Sequence, residues 1–167
     1  MISNKQLFFN HIAQTSTSPL AIEISSAKGM YMYKPNGDKI LDLLAGISVS
    51  NLGHQHPAIV KAVKDQVDKH MHLMVYGEFV LAPQVQLTTK IADMLGGHFE
   101  SIYLVNSGSE ANDGAMKLAK IATGRANFVY FKNAYHGSFQ GPLSLMGDEQ
   151  LKQPFRPLLP GNKQAIF

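Results

Sequence analysis

No cysteine occurs in the 167 residues. Disulfides, zinc–thiolate centres and cysteine nucleophiles are therefore excluded. Charge is sparse as well: Asp, Glu, Lys and Arg make up 16% of the chain, against 45% apolar residues. That balance suits a packed globular chain, and the length suits one domain of ordinary size. The formal net charge is a mild +3. Its basic residues, among them Lys61, Lys64, Lys69, Lys117, Lys120, Arg125 and Lys132, are scattered. No run of them resembles a nucleic-acid arm or a membrane-binding segment, so neither partner is expected. No apolar stretch approaches the ~20 residues of a transmembrane helix. Residues 1–11 are too polar for the apolar core of a signal peptide. The expectation is a soluble, cytoplasmic protein.

Several chemical signatures are missing too. The Gly-x4-Gly-Lys-Ser/Thr spacing of a P-loop, the dinucleotide Gly-x-Gly-x-x-Gly and the hydrolase Gly-x-Ser-x-Gly are all absent. The seven histidines include the pairs His54/His56 and His70/His72, but no carboxylates are arranged around them. A metal site is not expected, and His70 reads as a favourable charge near a helix C-terminus. Internal repeats and long linkers are also lacking.

The first third reads as a helix plus antiparallel strands. Leu7, Phe8 and Ile12 suggest a short amphipathic helix over residues 7–13, ended before Pro19. Residues 22–24 and 30–33 alternate like strands. Asn36-Gly37-Asp38 is a hairpin signal leading into a strand at 39–43. Pro57 suits the first position of a helix whose apolar line is Ile59, Val63 and Val67. A second helix is expected over 83–95, stopped by Gly96-Gly97.

From Glu100 the pattern alternates strand and helix. Residues 102–105 and 127–131 read as strands flanking a helix over 111–122, whose face is Ala111, Ala115, Leu118, Ala119 and Ala122, with Gly124 at its end. This predicts a βαβ unit and a parallel sheet. Beyond Gly141 the pattern fades among Pro142, Pro154, Pro157 and Pro160.

Two motifs lie beyond the expected strand ends, where ligands of open α/β sheets sit. The first is Asn106-Ser107-Gly108-Ser109-Glu110-Ala111-Asn112. A small-residue turn opening a helix can aim backbone N–H groups at a phosphate, although serine caps also occur with no ligand. The second is Ala134-Tyr135-His136-Gly137-Ser138, where Tyr135 offers a flat ring for stacking and Gly137 permits close backbone approach.

Together these segments resemble the class III aminotransferases, pyridoxal-phosphate enzymes that include acetylornithine, ornithine and 4-aminobutyrate transaminases. The match is collinear over roughly residues 20–147. It runs through Gly37-Asp38-Lys39-Ile40-Leu41-Asp42, then Gly46-Ile47-Ser48-Val49-Ser50-Asn51-Leu52-Gly53-His54 with His56-Pro57. It continues through the serine-glycine turn with Lys117-Leu118-Ala119, and ends at Tyr135-His136-Gly137. The resemblance implies an α/β chain of fold type I. Residues 1–75 would belong to the small domain, and residues 76–167 would begin the large domain with its mostly parallel sheet. It implies pyridoxal 5′-phosphate as cofactor, with Gly108 and Ser109 holding the phosphate, Ser107 supporting the turn, and Tyr135 on the pyridine ring with His136 beside it. It also implies an amino-acid or ω-amine donor, a 2-oxo acid acceptor (often 2-oxoglutarate), a ping-pong cycle through the pyridoxamine form, and a homodimer.

One departure is expected to matter. In that family the lysine that holds the cofactor covalently, and the aspartate that pairs with the pyridine nitrogen, come later than any position here. Lys152 and Lys163 match no lysine motif of the family. No catalytic residue is therefore assigned. The chain is expected to be the N-terminal portion of a larger enzyme, inactive alone, with an incomplete sheet and exposed apolar surface. An aminomutase, decarboxylase or racemase on the same scaffold, and a non-catalytic phosphate- or cofactor-binding fragment, remain as alternatives. Ile47 and Val49 stand where the family can place substrate-facing side chains, and both are apolar.

Overall fold

The structure is a computed structural model that describes residues 2–74 and 77–166. The chain divides into two compact units, Met1–Phe79 and Val80–Phe167.

The N-terminal unit opens with α1 (Asn4–His11), set by Ser3 rather than by the apolar residues further on. The Gln6 amide donates to the Ser3 hydroxyl oxygen and Gln6 Oε1 accepts from the Ser3 amide, a reciprocal cap that satisfies two orphan donors. Residues 22–24 form no strand. The pairing falls one step later, in an antiparallel sheet ordered β1 (Ser26–Lys28), β2 (Tyr31–Tyr33), β3 (Lys39–Leu41). Gly29-Met30 turns β1 into β2, and the expected Asn36-Gly37-Asp38 turn joins β2 to β3, with Gly37 at φ +89°. The Lys34 amide closes that turn on the Asp38 carbonyl at 2.9 Å.

Asp42 then leads into α2 (Ala45–Ser48), a single turn of unusual hand. Ala45, Gly46, Ile47 and Ser48 have φ of +47°, +61°, +62° and +63°. The chain returns through Gly53 and His54, and His54 exchanges backbone hydrogen bonds with Gly29 at 2.7 and 2.9 Å. Gly53 sits so close to that hairpin turn that a Cβ would lie 3.0 Å from the Gly29 carbonyl oxygen. Pro57 opens α3 (Pro57–Val67) as its composition predicts. The His70 amide donates to the Gln66 carbonyl just past the end of that helix.

The C-terminal unit begins with α4 (Ala82–Met94), after which Gly96 and Gly97 both adopt φ +73°. Residues 102–105 form no strand. The helix they feed is longer than its alanine pattern suggests: α5 spans Gly108–Thr123 and ends on Gly124 in the left-handed conformation. Its packing face also differs from the alanine stripe. Leu118, Ala111, Ala115 and Ala122 are exposed, and Met116 is the buried residue.

The parallel pairing joins β4 (Val129–Phe131) to β5 (Lys163–Ala165). Parallel strands need a crossover, and residues 132–162 supply it. They contain α6 (Gln140–Ser144), α7 (Glu149–Lys152) and a 3-10 turn at Gln153–Phe155. The segment that looked patternless in sequence is thus the best-buried part of the unit. Residues 141–147 are all buried, and Met146 is only 2% exposed. Among the described residues no helix is long and apolar enough to cross a membrane.

Candidate functional site

Ser107 starts the site. Its φ of −151° and ψ of 159° are extended, which turns its side chain back over the first turn of α5. The Glu110 amide donates to Ser107 Oγ at 3.1 Å. This is an N-cap, and it leaves the amides of Gly108 and Ser109 without partners inside the helix. Those amides stand at the positive end of a 16-residue helix dipole. The one acid of that turn is drawn aside. Glu110 Oε2 accepts from the Asn106 amide at 2.9 Å and from Asn106 Nδ2 at 3.2 Å. A Cβ on Gly108 would meet nothing within 4 Å, so the space beside that residue is open.

The second motif comes to the same helix. The Phe139 amide donates to Ser109 Oγ at 2.9 Å. Ser109 is thereby used as an acceptor, and its hydroxyl proton is left to donate outward. Asn112 Nδ2 donates to the His136 carbonyl at 2.8 Å. Between these bonds lies Gly137, buried at φ +115°, where a Cβ would sit 2.5 Å from the Ser109 side chain. Only glycine fits both that backbone and that approach. One turn further along, the Asp113 carboxylate and Met116 Sδ lie against Gly141 of α6.

The loop is also held from its other side. The His136 amide points to Met146 Sδ at 3.3 Å, and the Gly147 amide donates to the Ala134 carbonyl at 2.8 Å. Tyr135, framed by these contacts, remains 71% exposed as a residue. Helix-start amides, two serine hydroxyls and an exposed tyrosine make a donor set that fits a phosphorylated, ring-bearing cofactor. All five residues assigned from sequence, Ser107, Gly108, Ser109, Tyr135 and His136, lie on these two joined segments. Asn112 carries the join and received no role from sequence. Its signal was its spacing, since residue 112 shares a helix face with residue 109.

Elsewhere, His54 and His56 do not converge on a metal-like cluster. His54 is paired with Asp42, and among the described residues no three His, Asp or Glu side chains group as ligands. Lys152 is taken up internally. It is 2% exposed, and its Nζ donates to the Met146 carbonyl at 2.8 Å and Tyr130 Oη at 2.9 Å and pairs with Glu149 at 3.1 Å.

The C-terminal unit is thus an α/β unit in which a capped helix N-terminus is joined to a tyrosine-bearing glycine loop. The aminotransferase class-III family description matches residues 12–167. Acetylornithine aminotransferase of Archaeoglobus fulgidus is 37% identical over 157 residues, covering 94% of this chain and 40% of that protein. The Bacillus subtilis enzyme of the same name is 40% identical over 140 residues, covering 84% and 35%. Among solved structures, adenosylmethionine-8-amino-7-oxononanoate aminotransferase from Methanocaldococcus jannaschii superposes with a TM-score of 0.89 at 27% identity, covering 98% of this chain and 40% of that one. Taurine:2-oxoglutarate aminotransferase from Bifidobacterium kashiwanohense, solved in complex with PLP and glutamate, gives 0.85 at 27% identity, covering 96% and 36%. The chain belongs to the class-III aminotransferase family, with the fold type I architecture of those transaminases. It spans well under half the length of each of these four proteins.

Proposed function

We propose that this chain supplies the cofactor-phosphate cup and ring-stacking loop of a pyridoxal-phosphate-dependent aminotransferase. The observation that carries the reading is the join between the two motifs, made by the Ser109–Phe139 and Asn112–His136 hydrogen bonds. Gly108 and Ser109 amides and the Ser107 and Ser109 hydroxyls would take the phosphate. Tyr135 would cover the pyridine ring, with His136 beside it. The bound cofactor supplies an electron sink for the substrate carbon that carries the amino group. This chain's residues bind and orient it.

In the complete enzyme the reaction would move an amino group from an amino acid or ω-amine donor to a 2-oxo acid. A homodimeric, cytoplasmic enzyme belongs to the same reading. Residues 1–75 would contribute to the small domain and residues 76–167 would begin the cofactor-binding domain, a division supported by the compact units Met1–Phe79 and Val80–Phe167.

The binding test uses pyridoxamine 5′-phosphate, which has no aldehyde to label surface lysines. Calorimetry is expected to give saturable binding at one equivalent, competed by inorganic phosphate. Absence of saturable binding would remove the reading. The reaction is tested on the complete enzyme by product analysis with a donor and 2-oxoglutarate. Amino transfer is expected, whereas carbon dioxide release or an isomerised amino acid without transfer would put a decarboxylase or aminomutase in its place.

A further inference from the structure

We propose that Asn112 is a positioning residue that sets the spacing between the phosphate turn and the Tyr135 ring. The inference rests on the cofactor-cup reading and assigns a role within it.

The loop at 136–139 crosses the first turns of α5 in a two-point clamp of opposite polarity. Ser109 Oγ accepts from the Phe139 amide at 2.9 Å, while Asn112 Nδ2 donates to the His136 carbonyl at 2.8 Å. The helix residues are three apart, and so are the loop residues, in the reverse order. A slide of the loop along the helix by one residue would break both bonds together. Gly137 lies between the two points, against the Ser109 side chain, so the loop has no room to move inward.

The two anchors are not equivalent. Ser109 is itself part of the phosphate turn, and its loss would disturb phosphate and loop alike. Asn112 lies one turn further from the helix N-terminus. Its bond ends on the carbonyl of the residue that follows Tyr135. That carbonyl belongs to the His136–Gly137 peptide, and it fixes where the preceding tyrosine stands. The Tyr135 ring is exposed and finds no packed cradle of its own, so its place depends on its backbone. The opposite side is held independently by Met146 and Gly147. Removal of the Asn112 donor therefore frees one side of the loop and leaves the phosphate turn intact. The expected consequence is selective: affinity falls for a ligand that needs phosphate and ring together, and not for phosphate alone.

The experiment is a double-substitution cycle read by calorimetry on the protein of this sequence. Asn112→Leu, which keeps the shape and removes the donor, and Asn112→Ala are compared with the parent and with Tyr135→Ala. The probes are pyridoxamine 5′-phosphate and inorganic phosphate. Both Asn112 variants are expected to weaken pyridoxamine phosphate binding about 5- to 10-fold, the loss of one modest hydrogen bond. Inorganic phosphate binding should stay within about twofold of the parent, which also reports that the cup is folded. In the Tyr135→Ala background, Asn112→Leu should have almost no further effect, because the two residues act as one unit. Equal weakening for both probes, or additive losses in the double variant, would overturn the positioning role and leave the cup reading standing. Parent protein that binds neither probe would overturn both.

Discussion

The Asp42 carboxylate lies 2.7 Å from Nε2 of His54. The same carboxylate accepts from the amides of Leu44 and Ala45 at 3.0 and 2.9 Å. It thus pins the entrance of α2, whose Ala45, Ile47 and Ser48 hold positive φ at a cost that L residues ordinarily avoid. The Ala45 amide first, and the His54 hydrogen bond next, hold the Asp42 carboxyl below its ordinary pKa against the opposing effect of burial.

The sign of the pH dependence follows. A folded-state pKa below the unfolded value contributes stability that is complete above the ordinary carboxylate range, near pH ~4. That stability is lost as pH falls through the lower folded value. Asp42→Asn is expected to lower the thermal midpoint at neutral pH and to flatten its decline in acid. Midpoints recorded between neutrality and strong acid check this, and parallel curves for parent and variant would contradict it.

Lys152 gives the opposite dependence. Burial pulls its pKa down, but the hydrogen bonds to Tyr130 and Glu149 prevail and hold it above the usual lysine value. Its stabilisation is present below the ordinary lysine pKa and is lost as pH rises through the higher folded one. Glu149 also pairs with Arg156, so the lysine closes a short network over α7. Lys152→Ala removes the donor used by the buried Met146 carbonyl and by Tyr130, at a cost of about 1–3 kcal/mol. Urea unfolding at pH 7 is expected to show this loss, and the gap between parent and variant should close in strong alkali. A gap that persists there would show that packing, not charge, carries the effect.

Gly137 and Gly108 are expected to separate folding from binding. Gly137→Ala puts a Cβ 2.5 Å from the Ser109 side chain, at φ +115°. Steric overlap and backbone strain together should destabilise the C-terminal unit by about 1–3 kcal/mol. Gly108→Ala meets nothing within 4 Å and keeps an ordinary helical backbone. Its stability should stay within about 0.5 kcal/mol of the parent. Its phosphate affinity should nevertheless fall, because the new methyl group fills open space beside the Gly108 amide proposed to hold the phosphate. Thermal midpoints and phosphate titration measure the two effects, and unchanged phosphate binding in Gly108→Ala would place the phosphate elsewhere.

What could be read from sequence was local. Ser107, Gly124, Pro57 and the Asn36-Gly37-Asp38 turn each act through neighbours within a few residues, and each stands where its chemistry places it. Pairing partners are distant and leave no local mark. Residues 22–24 and 102–105 have strand-like side chains, but a strand is made by its ladder, and β4 finds its partner more than thirty residues later, at Lys163–Ala165. The proline-bearing stretch after Gly141 looked empty because short helices show too few turns for a period. Its burial comes in part from α5, whose Asp113 and Met116 lie against Gly141, a contact between elements that no local period records. In the candidate site, the cap and the exposed tyrosine were legible. The Asn112 bond was not, since it depends on a loop 24 residues away along the chain.

Ile47 offers a test in which stability and function move in opposite directions. It is β-branched, holds φ +62° and ψ +60°, and is 88% exposed. The left-handed conformation costs an L residue roughly 1–2 kcal/mol, and nothing is gained from burial at this position. Glycine would adopt the same backbone without that strain, less roughly 0.5–1 kcal/mol for its greater unfolded-state freedom. Ile47→Gly is therefore expected to raise the stability of the N-terminal unit by about 0.5–1 kcal/mol. Strain kept at an exposed residue is a signature of a working position. If Ile47 meets the substrate in the complete enzyme, Ile47→Gly should raise KM for the amino donor while the thermal midpoint also rises. A higher midpoint with unchanged KM would show that Ile47 does not touch the donor. A lower midpoint would show that its side chain contributes packing that the exposed surface of this unit conceals.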